Sequence, residues 1–226
     1  MLLALVLAGA SLASADSPQV TTGLRLGWLS TTGAAREILA TGAPEYEGYV
    51  DVAHPRLPLS VEASMSGATI PGTESGSATF MQTGIGTYPV GWSFAQTLIA
   101  IPLRLTLKAG PRRKNFSAHV GAGVGGVFTY VRRILSFSDP YAQAALGSTT
   151  ESSALGVETH AQAGADWRIG DNLGAGLLAR WSYAQSGLTL YRGFQGSNAA
   201  GPIFSESRSA GNVAGLFLGA SLWWRF

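Results

Sequence analysis

Apolar and polar residues alternate with a period of two over long stretches of this chain. In "TLIAIPLRLTLKAG", Ile99, Leu103 and Leu107 share one parity, and Arg104 and Lys108 share the other. Successive side chains of a β-strand point to opposite faces, so this segment predicts a strand with one apolar face. The segments "LPLSVEASM" and "ALGVETHAQAGADWRIG" repeat the alternation, and helical spacing fits none of the three.

The whole pattern predicts eight strands. Four further segments alternate clearly, "TTGLRLGWL", "FSAHVGAGVGGVFTY", "LGAGLLARWSY" and "LFLGASLWWRF", and an eighth, "EGYVDVAHP", alternates more weakly. Short connections at His54–Leu57, Gly110–Asn115 and Gly170–Asn172 alternate with long Gly/Ser/Pro-rich ones at Thr31–Tyr46, Ile70–Gly91, Leu135–Ser153 and Gly187–Gly211. This predicts an all-β fold, a closed antiparallel up-and-down transmembrane β-barrel with short periplasmic turns and long extracellular loops.

The low charge content decides which face of the strands points outward. Asp, Glu, Lys and Arg make up 12% of the 226 residues, about half of the roughly 25% that is usual in soluble domains. A soluble lipocalin-like barrel would carry charges over its outside, so we expect the apolar face to contact lipid and the polar face to line the lumen. Aromatic residues near the predicted strand ends suit the headgroup level: Trp28, Trp92, Phe116, Tyr130, Trp167, Tyr183, Trp224 and Phe226.

The N-terminal segment has the features of a signal peptide. An apolar run leads to Ala13-Ser14-Ala15, the small-x-small pattern that signal peptidase cleaves. The basic residue that usually precedes the apolar run is missing. We expect residues 1–15 to be the signal peptide and residues 16–226 to form one barrel domain.

The glycines Gly121, Gly123 and Gly126 have the spacing G-x-G-x-x-G, which binds dinucleotides when a helix opens at the third glycine. Here "VFTYVRR" follows, and its β-branched and aromatic residues favour a strand. We therefore interpret Gly121, Gly123 and Gly125 as lumenal positions that leave room for longer polar side chains of neighbouring strands.

These features together resemble the small bacterial outer-membrane β-barrels, the OmpA-like, opacity-protein and OmpW-like superfamily. The resemblance covers nearly the whole mature chain and includes the terminal strand ending in "LWWRF". It implies an outer-membrane location and, through a terminal Phe preceded by alternating apolar residues, recognition by the barrel-assembly machinery. The matching residues are Leu218, Ala220, Leu222, Trp224 and Phe226.

A polar network is expected inside the barrel. Its predicted members are Arg25, Glu62, Arg104, Lys108, His119, Glu158, His160, Asp166, Arg168, Arg180 and Arg225. Side chains fill the interior of an eight-stranded barrel, which favours a structural ion-pair network. A narrow channel for small solutes, as in OmpW-like barrels, is the alternative.

Other functions find less support in the sequence. Related deacylases of lipid A use a His-x-Ser motif on the lipid-facing side, whereas Ser117 and His119 occur in reverse order at lumenal positions. His54, His119 and His160 lack metal-ligand spacing, and there is no cysteine. The scattered basic residues do not favour nucleic acid. We expect a non-enzymatic protein without cofactors that contacts outer-membrane lipid and offers its loops to an unidentified extracellular or envelope partner.

Overall fold

The computed structural model describes residues 18–32, 35–82, 84–198, 201–206 and 212–226, so the predicted signal peptide lies outside the described residues. The strands and helices in chain order are β1 Gln19–Thr32, α1 Ala35–Ile38, β2 Gly42–Ala53, β3 Leu59–Gln82, β4 Gly86–Ala109, β5 Phe116–Phe137, α2 Pro140–Leu146, β6 Ser148–Arg168, β7 Leu173–Ser186, β8 Tyr191–Asn198, β9 Gly201–Glu206 and β10 Asn212–Arg225. Within these ranges, neither helix has the length and apolar character needed to cross a membrane.

Eight of the strands form one closed antiparallel barrel in the order β1-β10-β7-β6-β5-β4-β3-β2. The first and last strands close it, with a register that runs from Thr21 opposite Arg225 to Thr32 opposite Ala214. Strands β8 and β9 form a separate hairpin. The predicted fold class and the eight barrel strands are confirmed.

The outside of the barrel is an apolar belt. On β4, Leu103, Leu105 and Leu107 are 58%, 54% and 58% exposed, whereas the intervening Arg104 and Lys108 are buried. Other strands present the same outward parity, with exposed Leu24, Leu26, Val52, Val61, Met65, Val120, Val124, Leu155, Val157, Leu177, Leu218 and Leu222. A continuous apolar surface of this kind is matched to lipid, since monomeric soluble proteins rarely expose large apolar patches.

Aromatic side chains mark both edges of the belt. Exposed Phe116, Trp167, Trp224 and Phe226 lie at the end with the short turns, and exposed Trp28, Tyr46, Trp181 and Tyr183 lie towards the other end. This distribution agrees with headgroup-level girdles. Trp92 differs from the prediction, because it packs against Phe194 of the β8–β9 hairpin with ring centroids 6.2 Å apart.

The extracellular connections contain more regular structure than the sequence predicts. The expected loop Ile70–Gly91 is wrong: β3 and β4 continue through it as 24-residue strands, paired as far as Gln82 opposite Gly86. Residues expected in loop Leu135–Ser153 extend β5 and β6 and form α2. Residues 73–77 of β3 are exposed on both faces and carry no apolar parity that would reveal a strand. On β4, Val90 and Phe94 are each 3% exposed and share the parity of Trp92, which contacts the β8–β9 hairpin.

The extracellular mouth of the barrel is filled by an apolar plug. Leu39, next to α1, and Leu188 and Leu190, in the connection before β8, insert among inward-facing barrel residues. Those barrel residues are Leu29, Ala43, Ala68, Ile70, Leu98, Val131, Leu178 and Phe217. The plug residues therefore come from the predicted long loops Thr31–Tyr46 and Gly187–Gly211. The first of these loops also contains the start of β2, and the second contains the β8–β9 hairpin.

The glycines of β5 differ in what surrounds them. A Cβ on inward-facing Gly123 would lie 2.1 Å from the Leu105 carbonyl oxygen and 2.6 Å from His160 Nε2. A Cβ on outward-facing Gly126 would meet nothing closer than 4.0 Å. The predicted role of Gly123, leaving space for a neighbouring polar side chain, agrees with this geometry.

We expect Gly123→Ala to lower the free energy of unfolding by about 1–3 kcal/mol, because the added methyl overpacks a filled interior. The matched variant Gly126→Ala adds the same methyl to the lipid face and should change stability by less than about 0.5 kcal/mol. Guanidinium unfolding of refolded protein in detergent micelles, followed by tryptophan fluorescence, measures both. Equal losses would contradict the assigned faces of β5.

Candidate functional site: the charged barrel interior

A layer of buried ion pairs crosses the barrel at mid-depth. Its members come from six strands and are Arg25, Glu45, Glu47, Glu62, Arg104, Lys108, Glu158 and Arg180. Each of these residues is at most 6% exposed. Charges removed from water to this extent need opposite charges and hydrogen bonds, and the network supplies both.

Arg104 links three carboxylates. Its Nη1 donates to Glu45 Oε1 and Glu47 Oε2, both at 3.0 Å, and its Nε donates to Glu158 Oε1 at 2.5 Å. Arg180 donates to the same two β2 carboxylates, to Glu45 at 2.5 Å and to Glu47. Two guanidinium groups from opposite sides of the lumen thus hold the acidic pair of β2 between them.

Glu62 joins this layer to the periplasmic half of the barrel. Arg25 binds both of its carboxylate oxygens, at 2.8 and 2.5 Å, and also donates to Glu47. Lys108 lies 3.0 Å from Glu62 and 3.1 Å from Asp51. The bidentate geometry is the one that arginine favours with carboxylates.

Three acidic residues of the interior are missing from the predicted network. Glu45 falls in the predicted loop Thr31–Tyr46, although β2 begins at Gly42, and Glu47 and Asp51 are not among the predicted lumenal residues. The segment "PEYEGYVDVA" does place Glu45, Glu47 and Asp51 on one parity. That parity is the available signal, but Pro and Gly make the segment look like a loop.

The predicted network of eleven residues divides into two groups. Arg25, Glu62, Arg104, Lys108, Glu158 and Arg180 belong to the ion-pair layer, and His160 lies beside it with Nε2 at 2.8 Å from Thr106 Oγ1. His119 and Asp166 pair at 3.5 Å nearer the short turns. Arg168 and Arg225 also lie outside the layer: Arg168 donates to the carbonyl oxygens of Gly170, at 3.0 Å, and Asp171, and Arg225 stacks near Trp223.

Two cavities lie on either side of the ion-pair layer. The smaller, about 40 Å³, is lined by Glu45 and Arg104 on one side and, on the other, by barrel residues that surround the plug, such as Ile70. The larger, about 420 Å³, has Arg25 and Lys108 at its inner end and the short turns at its mouth. We call this larger cavity the periplasmic vestibule.

The interior brings one hydroxyl within reach of an imidazole: Thr106 Oγ1 lies 2.8 Å from His160 Nε2, and His160 Nδ1 lies 3.8 Å from Glu158 Oε1. Thr106 and His160 are 1% and 4% exposed, so this pair is enclosed in the barrel beside the ion-pair layer. The other histidine of the predicted network has no such partner among the described residues. Nε2 of His119 is shielded from solvent without a hydrogen bond. It packs so closely on β6 that a Cβ on Gly164 would lie 2.7 Å away. A general base must lie within hydrogen-bond reach of its nucleophile. Within the part of the chain that the structure describes, no three potential metal ligands cluster either.

Comparison with known proteins adds likeness of fold only. No protein-family model and no curated protein matches the chain. Similar solved structures include the outer membrane protease OmpT from Escherichia coli, with 12% identity, a TM-score of 0.48 and coverage of 96% of this chain and 100% of that one. Neisserial surface protein A has 9% identity, a TM-score of 0.45 and coverage of 92% and 97%. A major outer membrane protein from Thermus thermophilus has 15% identity, a TM-score of 0.46 and coverage of 92% and 99%.

The barrel itself defines the class of protein. Eight antiparallel strands close on themselves around a polar interior, and the outside is an apolar belt between aromatic rims. This is the architecture of a bacterial outer-membrane β-barrel. The predicted eight-stranded membrane barrel is confirmed, and its apolar belt and aromatic rims agree with the predicted outer-membrane location.

We expect Arg104→Met to lower the free energy of unfolding by about 3–5 kcal/mol, since it leaves buried carboxylates without their cation. The control is Arg132→Met: Arg132 pairs with Glu151 at 3.7 Å on the surface, where both side chains are more than half exposed. That change should cost less than about 1 kcal/mol. Denaturant unfolding in micelles compares the two, and similar losses would contradict a stabilising role for the buried layer.

Proposed function

We propose that this chain is a non-enzymatic, sealed outer-membrane barrel that has a structural and surface-interaction role. The observation that carries the proposal is the double closure of the lumen. The ion-pair layer around Arg104 and the apolar plug around Leu188 and Leu190 follow one another along the axis. An ion moving through would have to disrupt buried charge pairs and also enter an apolar region, and both steps are unfavourable.

The extracellular side supports the surface-interaction part of the role. The β8–β9 hairpin is held against the extended strands by Gln96 Nε2, which donates to the Tyr191 carbonyl at 3.1 Å. Arg133 holds the connection before β8 by donating to the Thr189 carbonyl at 2.7 Å. Phe194 packs edge-on against Phe137, with centroids 5.4 Å apart. A surface fixed in this way can present a defined shape to a partner at little ordering cost.

The connection between β5 and β6 is ordered by its own contacts. Asp139 caps α2 by accepting from the backbone amides of Tyr141 and Ala142, at 3.0 and 2.9 Å. Tyr88 on β4 donates to the same carboxylate at 3.2 Å. Partial desolvation and this carboxylate raise the pKa of Tyr88. The contacts tie α2 to the β3–β4 hairpin and support a rigid extracellular platform.

A narrow channel is the second candidate, favoured by the cavities on both sides of the ion-pair layer. Planar-bilayer recording separates it from a sealed barrel. We expect the wild-type protein to show no unitary conductance. Regular conductance steps from a preparation that runs as one heat-modifiable band would overturn the proposal in favour of the channel.

The double variant Arg104→Ala/Glu158→Ala tests the second seal. It removes one cation and one anion together, which leaves the net charge unchanged and opens the layer between the two cavities. We expect this variant to remain silent as well, because the apolar plug is intact. Conductance in the double variant alone would show that the ion pairs are the only barrier.

We also propose that the terminal strand carries the signal read by the barrel-assembly machinery. The five predicted signal residues are all exposed on the outside of the barrel. Leu218, Leu222 and Trp224 are 55%, 52% and 41% exposed, Phe226 is 71% exposed, and Ala220 is exposed as well. The Phe226 amide donates to the Val20 carbonyl at 3.0 Å, so its backbone takes part in barrel closure. The exposed ring is then available for recognition.

We expect Phe226→Ala, which keeps that backbone bond, to reduce folded protein in the outer membrane several-fold while unassisted refolding into micelles is unchanged. The measurement is the heat-modifiable band in cells and in vitro, with Phe226→Tyr as the aromatic control. An equal loss in both settings would assign Phe226 a structural role, and no loss in cells would refute the signal.

A further inference from the structure

The periplasmic vestibule collects more cations than the ion-pair layer uses. At its inner end, Arg25 and Lys108 are already paired with Glu47, Glu62 and Asp51. Five further cationic side chains line the same cavity: Arg112, Arg113, Lys114, Arg168 and Arg225. Besides Asp51, the carboxylate that lines it is Asp166, which lies 3.5 Å from His119.

The additional cations pair with no carboxylate of the described residues. Arg112 donates to the His54 carbonyl at 3.2 Å, and Arg168 donates to carbonyls of its own turn. Nε of Arg225 is shielded from solvent and has no hydrogen-bond partner within the described ranges. Arg168 and Arg112 lie close enough to Arg225 to repel it electrostatically, and Asp166 attracts it without forming a salt bridge.

The mouth of the vestibule is built from ordered backbone. Gly110 N donates to the Pro58 carbonyl at 3.0 Å, and Arg113 N donates to the Phe116 carbonyl at 2.8 Å. Arg112 forms an isolated β-bridge with Ser117. The basic turn is therefore held against the neighbouring turn and strand, so its backbone needs little ordering when a ligand binds.

We propose that the periplasmic vestibule is a binding site for a small multivalent oxyanion, of the phosphate or polycarboxylate type. Guanidinium groups bind such groups through paired N–H donors. The vestibule lies inside the barrel and is lined by residues of its strands and short turns, and a cleft with low-dielectric walls strengthens attraction for an anion. A volume of about 420 Å³ falls in the range of roughly 300–1,000 Å³ that small-molecule sites occupy.

The oxyanion can come from solution or from a lipid headgroup, because the vestibule opens at the inner edge of the apolar belt, where Phe116 lines both its mouth and the rim. Both sources offer a phosphate to the same arginines. A free anion reaches the site in any membrane, whereas a headgroup is present only where the lipid carries it. The lipid composition of the sample therefore separates the two.

The test is calorimetric titration of the purified barrel in neutral detergent with inorganic pyrophosphate, and in nanodiscs with and without phosphatidylglycerol. We expect pyrophosphate to bind in detergent, and Arg112→Gln/Arg225→Gln to weaken binding about tenfold or more, equivalent to about 1.4 kcal/mol. If pyrophosphate binds more weakly in nanodiscs that contain phosphatidylglycerol than in nanodiscs without it, the lipid headgroup competes for the site and is an occupant. Unchanged binding in both nanodiscs would identify a soluble anion.

The matched control is Arg36→Gln/Arg132→Gln, which removes two exposed cations at the extracellular end. Its net charge equals that of the Arg112→Gln/Arg225→Gln variant. It should bind as the wild type does. Equal weakening in the two double variants would mean that binding reflects overall charge, and this would overturn the site. Absence of pyrophosphate binding to the folded wild type at millimolar concentration would also overturn it, without affecting the conductance test of a sealed barrel.

Discussion

The burial of charge inside a narrow barrel is the constraint on which the rest of this structure depends. An apolar belt that faces lipid forces the polar parity of every strand inward, where eight strands leave room for side chains and little water. Arg104 meets this constraint by binding Glu45, Glu47 and Glu158 from three directions. The ion-pair network is therefore a consequence of membrane insertion, because unpaired charges inside the barrel would carry a large free-energy penalty of desolvation.

The glycine-rich strand β5 complements this network. Side chains of the two neighbouring strands occupy the space beside β5: a Cβ on Gly121 would lie 3.0 Å from Lys108 Cγ of β4, and a Cβ on Gly123 would lie 2.6 Å from His160 Nε2 of β6. A spacing that superficially suits a nucleotide has its physical reason in packing between strands. Glycines on β5 and longer polar side chains on the neighbouring strands therefore fill the interior together.

The barrel could be predicted from the sequence because burial in lipid enforces strict alternation on the membrane-spanning parts of the strands. The same reasoning fails where lipid is absent. In the extension of β3, residues 73–77 are exposed on both faces, and their sequence does not separate the faces. In the extension of β4, Val90 and Phe94 are buried on the face that carries Trp92, because the β8–β9 hairpin and not lipid lies against that side. Strand β2 is harder to predict for another reason: Pro44 and Gly48 are typical of loops, yet barrel pairing on both sides, Pro44 with Trp28 and Glu45 with Ala68, overrides local propensity. The ion-pair layer could be predicted only in part, because parity indicates the face of a residue and not its depth along the axis.

The interior changes character along that axis, from the apolar plug through paired charges to a cationic vestibule. His119, Asp166, Arg168 and Arg225 share the lumenal parity of Arg104 but lie one or more steps nearer the mouth, where partners differ. Charges in the ion-pair layer are compensated within the fold. In the vestibule, cations outnumber carboxylates among the lining residues, and they lie at the end of the barrel that opens at the short turns.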